Sequence, residues 1–317
     1  VAILSNTLLT FSAVGNREDL LDKIYNISPV EVPLQSMADE GTAKATFHEW
    51  QTEALNAAAA NAQLQGDDIS FGAAILTTRV GNRTQISRKE VIVSGTQEAV
   101  DKAGRNSEIV RQMANKRAEL KRDIEFVLCS NQAPVTGNST TAPQLRPLLS
   151  WYATNVSSGV GAANGSTTTA RTDGTQRTFT EALMTAQMQN AWVAGGKPSV
   201  ALCGPKQRAV ISTFSGGATK FYSVEDKKLT ATITVYDGDF GTLKIVPSRF
   251  TRGAASSADR EVHLLDPSLV SVVYLPGRKF KSIDIATTGD AMKGAVLSEY
   301  SIEVRNEAGL ALVADLS

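Results

Sequence analysis

The 317-residue sequence predicts an α+β protein organised around one long helix. Three observations predict it: a charged stretch with a single apolar stripe from Ser94 to Asn131, an alternating ribbon just before it, and a succession of short strands and helices from Phe179 to the end. In the first stretch, Ser94 with Gln97 fits a capping box, in which each side chain satisfies an orphan backbone donor at the helix start. Glu98 and Asp101 suit the positive end of the helix dipole, while Ser130-Asn131 and Pro134 mark the stop. Met113, Leu120, Ile124 and Val127 recur at helical spacing as one narrow stripe, which Arg117 interrupts. At 1.5 Å per residue the helix would be roughly 50 Å long, longer than an ordinary domain is wide. Gly104 is where it would bend or split, because glycine there costs about 1 kcal/mol against alanine.

Taken in order, residues 1–66 read as an extended arm with short helices. Asn16 to Asp19 starts one that Leu20, Leu21 and Ile24 would anchor, and Ser28-Pro29 and Val32-Pro33 then force extended backbone. Phe47, Trp50 and Leu55 are the large anchors before the Ala57–Ala60 run. Residues 1–68 carry ten acidic side chains against three basic ones. Residues 69–93 read as a long β-hairpin: Ile69, Phe71, Ala73 and Ile75 alternate, Gln85 to Val93 is strand-like, and Gly81-Asn82 is the turn. Arg79, Arg83, Arg88 and Lys89 make this ribbon basic. It has few residues for a core of its own, and a lone two-stranded ribbon is marginal in water, so it would be stable only when laid on a neighbour. Val80 to Arg83 would be its protruding tip. Residues 132–178 are rich in Gly, Ser, Thr and Asn; Leu145, Leu148, Leu149, Trp151 and Tyr152 form a docking island, and residues 153–177 read as an exposed flap.

From Phe179 the pattern is α/β. A helix through Leu183 and Ala186 closes at Gly195-Gly196, Val200–Cys203 is a buried strand, and Pro205 opens a second helix through Ile211. Strands follow around Ile233–Val235, Leu243–Val246, Glu261–Leu265, Val270–Leu275 and Phe280–Ala286. A long alternating strand runs from Ala295 to Arg305, and a last one follows the turn at Asn306–Gly309.

Composition narrows the function. Lys and Arg balance Asp and Glu at 32 each, with pI near 6.9, which argues against a protein that binds phosphates through clustered cations. Cys129 and Cys203 make no disulfide framework and read as buried thiols. No apolar run approaches the ~18 residues of a membrane span, and Ala2–Val14, interrupted by Asn6 and lacking a basic flank, does not read as a signal peptide. The opening Val1 fits either methionine trimming or the removal of a longer leader.

Motifs for chemistry are missing. His48 and His263 have no Cys or carboxylate at metal spacing, so no metal or cofactor site is expected. There is no P-loop, dinucleotide fingerprint or nucleophile elbow. Gly238-Asp239-Phe240-Gly241 contains a kinase triplet without its partners. Glu299 and Glu303 share one face of a strand as ordinary pairing groups. Lys116, Arg117, Lys121 and Arg122 interleave with Glu119, Asp123 and Glu125, as on a salt-bridged helix surface.

The order acidic arm, basic hairpin, long helix, α/β part and long returning strand resembles the Hong Kong 97-type major capsid proteins of tailed bacteriophages. The wording is similar to one branch, the SU-ten-like major head proteins. The residues that carry this are Leu20–Pro29, His48–Thr52, Arg79–Ile86 leading to Val93–Thr96, Asp239–Leu243, Ala286–Asp290 and Glu299–Glu307. Together they cover nearly the whole chain in order; residues 153–177 depart from the pattern. The resemblance implies an N-terminal arm (1–66), an extended β-hairpin E-loop (67–95) and the spine helix of a peripheral domain (96–131). It further implies a mainly axial α/β domain (132–275), a return to the peripheral domain (276–308) and a C-terminal strand (309–317). It also implies self-assembly as pentamers and hexamers into an icosahedral virion shell, built in the host bacterial cytoplasm. Portal, scaffolding and decoration proteins would be its partners, and double-stranded DNA would be enclosed without sequence-specific binding. Arg79, Arg83, Arg88, Lys89, Glu49 and Trp50 are the expected intersubunit contacts. An encapsulin-like compartment is the alternative within the fold; outside it, an enzyme or glycan-binding protein with a site in the α/β half.

Overall fold

A computed structural model describes residues 7, 24, 26–66, 68–69, 71–214, 235–254 and 258–317. The helix expected after Asn16 (apart from Ile24) and the strand residue Ile233 lie outside these. In chain order the elements begin with α1 (Pro33–Met37), β1 (Asp39–Thr42), β2 (Phe47–Thr52), β3 (Thr78–Arg83), β4 (Gln85–Ser94), α2 (Gly95–Ala99) and α3 (Glu108–Leu128). After β5 (Val156–Ser157) come α4 (Glu181–Val193), β6 (Val200–Cys203), α5 (Pro205–Ile211), β7 (Val235–Gly238) and β8 (Gly241–Pro247). The chain closes with β9 (Val262–Leu265), β10 (Val270–Tyr274), β11 (Lys281–Ile285), β12 (Ala291–Val304) and β13 (Ala311–Val313).

The 14-residue β12 is the axis of the first sheet. One edge pairs with β10 and then β11, the other antiparallel with all of β4, and β1 adds to β10 in parallel. Alternation sorts β12 by face: Val296, Tyr300, Ile302 and Val304 turn into the core, where Leu120, Ile124 and Leu128 of α3 meet them. Arg117, which interrupts the apolar stripe of α3, reaches the sheet as a donor, with Nη2 2.6 Å from Ser282 Oγ. The second sheet has the order β5-β13-β9-β6-β8-β7. Its strands are buried on both faces. Val200 and Leu202 join the core that holds α3, while Ala201 and Cys203 face α4 and α5 with Met184, Met188 and Ile211. The strands and helices expected from Phe179 onward are present at these positions.

Three expectations are corrected. The long helix is two: Ser94 caps α2, accepting from Gln97 N, but the helix stops at Ala99 and resumes at Glu108. Gly104 adopts φ +72°, a left-handed conformation that a helix cannot continue through. The second start has its own caps: Ser107 Oγ accepts from Val110 N, and the Glu98 carboxylate accepts from Glu108 N and Ile109 N. At 1.5 Å per residue, α3 is therefore about 32 Å long rather than 50.

The hairpin with its turn at Gly81-Asn82 does not form. β3 pairs antiparallel with β2, from Phe47↔Arg83 to Thr52↔Thr78, whereas β4 pairs with β12. Asn82, placed at a protruding tip by sequence, is 2% exposed. The alternating residues Ile69, Phe71 and Ile75 are in no strand.

The flap is also more ordered than its composition implies. Val160 is exposed, as expected, and Val156 is half-buried in β5 against β13. But Arg171 is buried and grips Asp315 with two hydrogen bonds, of 3.0 and 2.6 Å. Ala163 pairs with Thr172, and Gly159 and Gly174 approach so closely that a Cβ on Gly174 would lie 2.6 Å from Gly159 O. A polar sequence here folds on a buried ion pair instead of on apolar burial.

Candidate functional site

The feature that asks for a partner is the connection between β2 and β3. Beyond the last ladder pair, Thr52↔Thr78, residues 53–77 contain no helix or strand among those described. They carry large apolar side chains into solvent: Leu55 is 94% exposed and Phe71 93%, with Leu64, Ile69 and Leu76 close behind. Leu55, expected as an anchor of the arm, anchors nothing in its own chain. A contiguous apolar stretch left in water marks an interaction surface.

The root of this ribbon is held firmly. Asn82 satisfies its whole amide: Nδ2 donates to Arg146 O and Ile302 O, both at 2.9 Å, and Oδ1 accepts from Arg146 N and Arg83 N. Trp50 Nε1 donates to Val304 O at 3.1 Å, and its ring lies 5.4 Å from Trp151, which the Arg146 guanidinium covers at 4.1 Å. His48 Nε2 sits 3.0 Å from Glu303 Oε2, and Thr84 Oγ1 donates to Glu299 Oε1 at 2.8 Å. Rigid root and unsupported loop together form an arm that projects apolar surface from a defined point.

The expected contact residues divide between root and surface. Trp50 belongs to the root. Arg79 pairs with Glu49 at 2.5 Å across the β2/β3 ladder, and Arg83 stacks over Phe47 at 5.0 Å. On β4, Arg88 pairs with Glu90 at 2.6 Å and Lys89 with Asp123 of α3 at 2.7 Å. All six side chains thus have a partner within the chain. Arg79 and Arg88 stay largely exposed.

The N-terminal segment docks by a different device. Leu34 plugs the core beside α3, and the fully buried Glu125 carboxylate accepts from Leu34 N (2.6 Å), Gln35 N (3.0 Å) and Gln35 Nε2 (3.1 Å). Burial pushes the Glu125 carboxyl above its usual range, against the pull of these donors. Sequence reasoning placed Glu125 on a salt-bridged surface and missed this role. The one available signal was a carboxylate next to Ile124 on the apolar side of the helix.

Neither histidine gathers a catalytic or metal-binding group. His263 Nδ1 lies 3.1 Å from Tyr152 Oη, remote in sequence and structure from the His48–Glu303 contact. Among the described residues no three His, Cys or carboxylate side chains are placed to hold a metal, and no helix is long and apolar enough to cross a membrane.

Comparisons with known proteins agree with an assembly surface. The chain is 33% identical over 126 residues to the major capsid protein of Escherichia phage Phieco32; the match covers 39% of this chain and 36% of that protein, so it spans about a third of that relative's length. A chain of the cyanophage A-1(L) capsid asymmetric unit is similar at a TM-score of 0.62 and 12% identity, covering 99% of each chain. The holo-SrpI encapsulin complex from Synechococcus elongatus follows at a TM-score of 0.57 and 11% identity, covering 95% of this chain and 92% of that one. These likenesses establish a mixed α+β fold of the Hong Kong 97 type over nearly the full length. The profile of the SU10 major capsid protein family takes in residues 4–317, and the chain belongs to that family of structural, non-enzymatic proteins of the tailed-phage head.

Proposed function

We propose that this chain is the repeating wall subunit of an icosahedral head, associating as pentamers and hexamers around double-stranded DNA. The observation that carries the reading is the projecting loop of residues 53–77, whose Leu55 and Phe71 are almost wholly exposed while its root is locked. Exposed apolar surface of this kind is stabilised only when a second subunit covers it, at about 25 cal/mol per Å² removed from water. In this reading the β2–β3 ribbon is the E-loop, bounded by residues 47–83 instead of 67–95. The α3 helix is the spine of a peripheral domain with the five-stranded sheet, and the six-stranded sheet with α4 and α5 is the axial domain. Arg79, Arg83, Arg88, Lys89 and Glu49 line subunit boundaries, and Trp50 sets the angle at which the ribbon leaves. Portal, scaffolding and decoration proteins are its expected further partners, with assembly in the host bacterial cytoplasm.

The test is electron microscopy of the purified full-length protein beside a variant in which residues 54–76 are replaced by a short Gly-Ser turn. The intact chain is expected to give capsomers or closed particles, and the variant folded subunits that do not close. Particles of normal yield from the variant would overturn the reading. A nanocompartment shell is the second reading, supported by the fold likeness to the Synechococcus elongatus encapsulin. Particles filled with a cargo protein instead of DNA would favour it.

A further inference from the structure

We propose that residues 67–71 of one subunit, Asp-Asp-Ile-Ser-Phe, dock in a groove that a second copy of this chain forms between its residues 29–33, the C-terminal half of α3 and residues 247–254. The proposal rests on the reading that the 53–77 loop reaches a neighbour, and it names the receiving site.

The groove has a volume of about 1260 Å³. Phe126 and Arg122 of α3 form one wall, Arg249, Phe250 and Thr251 the other, and Pro33 lies at the rim. Phe126 is 59% exposed although it sits beside the core residue Glu125. Elsewhere on this surface cations are paired: Lys89 with Asp123, Lys116 with Glu119, Arg252 with Asp173. Among the described residues Arg122 and Arg249 have no carboxylate within ion-pair distance. Thr251, only 3% exposed, leaves its Oγ1 without a hydrogen-bond partner. A buried hydroxyl left unpaired costs about 1–3 kcal/mol, so an incoming donor or acceptor at this point is favoured. Two aromatic rings flanked by two free guanidinia and an unpaired hydroxyl suit an extended, acidic segment with large apolar side chains. Arginine forks onto carboxylates, and aromatic pockets hold apolar anchors.

The chain itself contains such a segment. Asp67 and Asp68 precede Ile69 and Phe71 in the sequence, and Ile69 and Phe71 are 76% and 93% exposed. Phe71 therefore does not occupy its own subunit's groove. Extended chain covers about 3.3–3.6 Å per residue, so a dozen residues from either side of the root reach up to about 40 Å, enough to enter another subunit. Nucleic acid fits less well. A duplex offers one charge per ~1.7 Å and is held by many cations, while this groove has two unpaired ones and the carboxylate of Glu31 on its lining.

The test uses full-length protein during assembly. A photo-crosslinking phenylalanine analogue at position 71 is expected to join subunits, with the crosslink mapped to the neighbour's residues 122–132 or 247–254. In parallel, the double reversal Arg122→Glu with Arg249→Glu is expected to cut particle yield at least ten-fold. The reversal Asp67→Arg with Asp68→Arg should do the same, and the four changes together should restore most of it. Intersubunit crosslinks that map elsewhere would overturn the groove while leaving the neighbour-reaching loop intact. If position 71 gives no intersubunit crosslink in assembled particles, both ideas fail. The crosslink does not depend on the charge variants folding, so it decides even if they do not.

Discussion

Glu125 shows how one side chain sets the conditions under which a segment docks. Its carboxylate is buried with three donors from the Leu34–Gln35 turn and no cation bonded to it. Burial raises its pKa above the usual value, so the docked state holds a proton more tightly than the undocked one. The stability this linkage contributes is full below the ordinary carboxyl pKa and is lost as pH rises through the raised value. Hydrogen exchange at Leu34 to Ala38, corrected for intrinsic rates, should therefore quicken across that window as pH increases. Glu125→Gln should remove the pH slope and destabilise by about 1–3 kcal/mol, because an amide offers one acceptor where two oxygens served. A slope unchanged in that variant would rule Glu125 out as the titrating group. Trp50 is the corresponding residue of the ribbon root. Trp50→Ala removes the stacking on Trp151 and the bond to Val304 O, and should cost about 2–4 kcal/mol by chemical denaturation.

At the scale of elements, the split of the expected long helix is the clearest case of local chemistry overriding a periodic pattern. The pattern of apolar and charged residues runs on through residues 100–107, but Gly104 at φ +72° ends it, and Lys102 Nζ ties back to Gln97 O, Glu98 O and Val100 O. Gly104→Ala should destabilise by about 1–2 kcal/mol, the cost of a side chain in the left-handed region. Helix content by circular dichroism is expected to stay the same; a gain of two turns would mean the break is held by glycine alone. The α3 start is buttressed by Glu108, whose carboxyl Arg111 and Gln112 hold at about 2 against the ordinary value. Its contribution is thus present above the ordinary carboxyl pKa and lost only as pH falls toward 2. The ribbon was misread for a different reason. Thr78–Arg83 and Gln85–Ser94 are separated by Thr84 alone, and nothing in their composition says that they belong to different sheets. The partner of β3 is β2, some thirty residues earlier, and the loop between them looked like arm and strand because Ala-rich and alternating segments imitate both.

For the whole molecule, balanced charge hides an uneven distribution. Residues 1–68 hold ten acidic groups against three basic ones, while Arg79, Arg83, Arg88 and Lys89 follow. Within the subunit these pair locally, and each exposed pair is worth only about 0–1 kcal/mol. Repeated in every subunit of a shell, small terms act on register and cooperativity. Assembly is therefore expected to weaken with salt while the isolated subunit's fold stays nearly indifferent, since screening reaches about 10 Å at 0.1 M and acts first on exposed pairs. Light scattering of assembly across a salt series, beside thermal unfolding of the subunit, checks this. Arg83→Glu with Arg88→Glu should leave a soluble, folded subunit that assembles poorly; particle yield equal to the parent's would remove these residues from the interface.

The sequence by itself determined the class of fold, the strands and helices from Phe179 onward, the apolar stripe of α3 and the absence of catalytic motifs. Each of these depends on neighbours within a few residues: periodicity, caps, turns and spacing. Only the tertiary structure decided which strand β3 pairs with, that Asn82 is a buried pin and not a tip, and that Arg171 finds Asp315. It alone placed Phe71 in water and the Glu125 carboxylate beneath the N-terminal segment. Those outcomes depend on contacts between residues about 30 to 220 positions apart. A burial or a pairing of that kind is a property of the place the chain comes to, and local pattern carries no record of it.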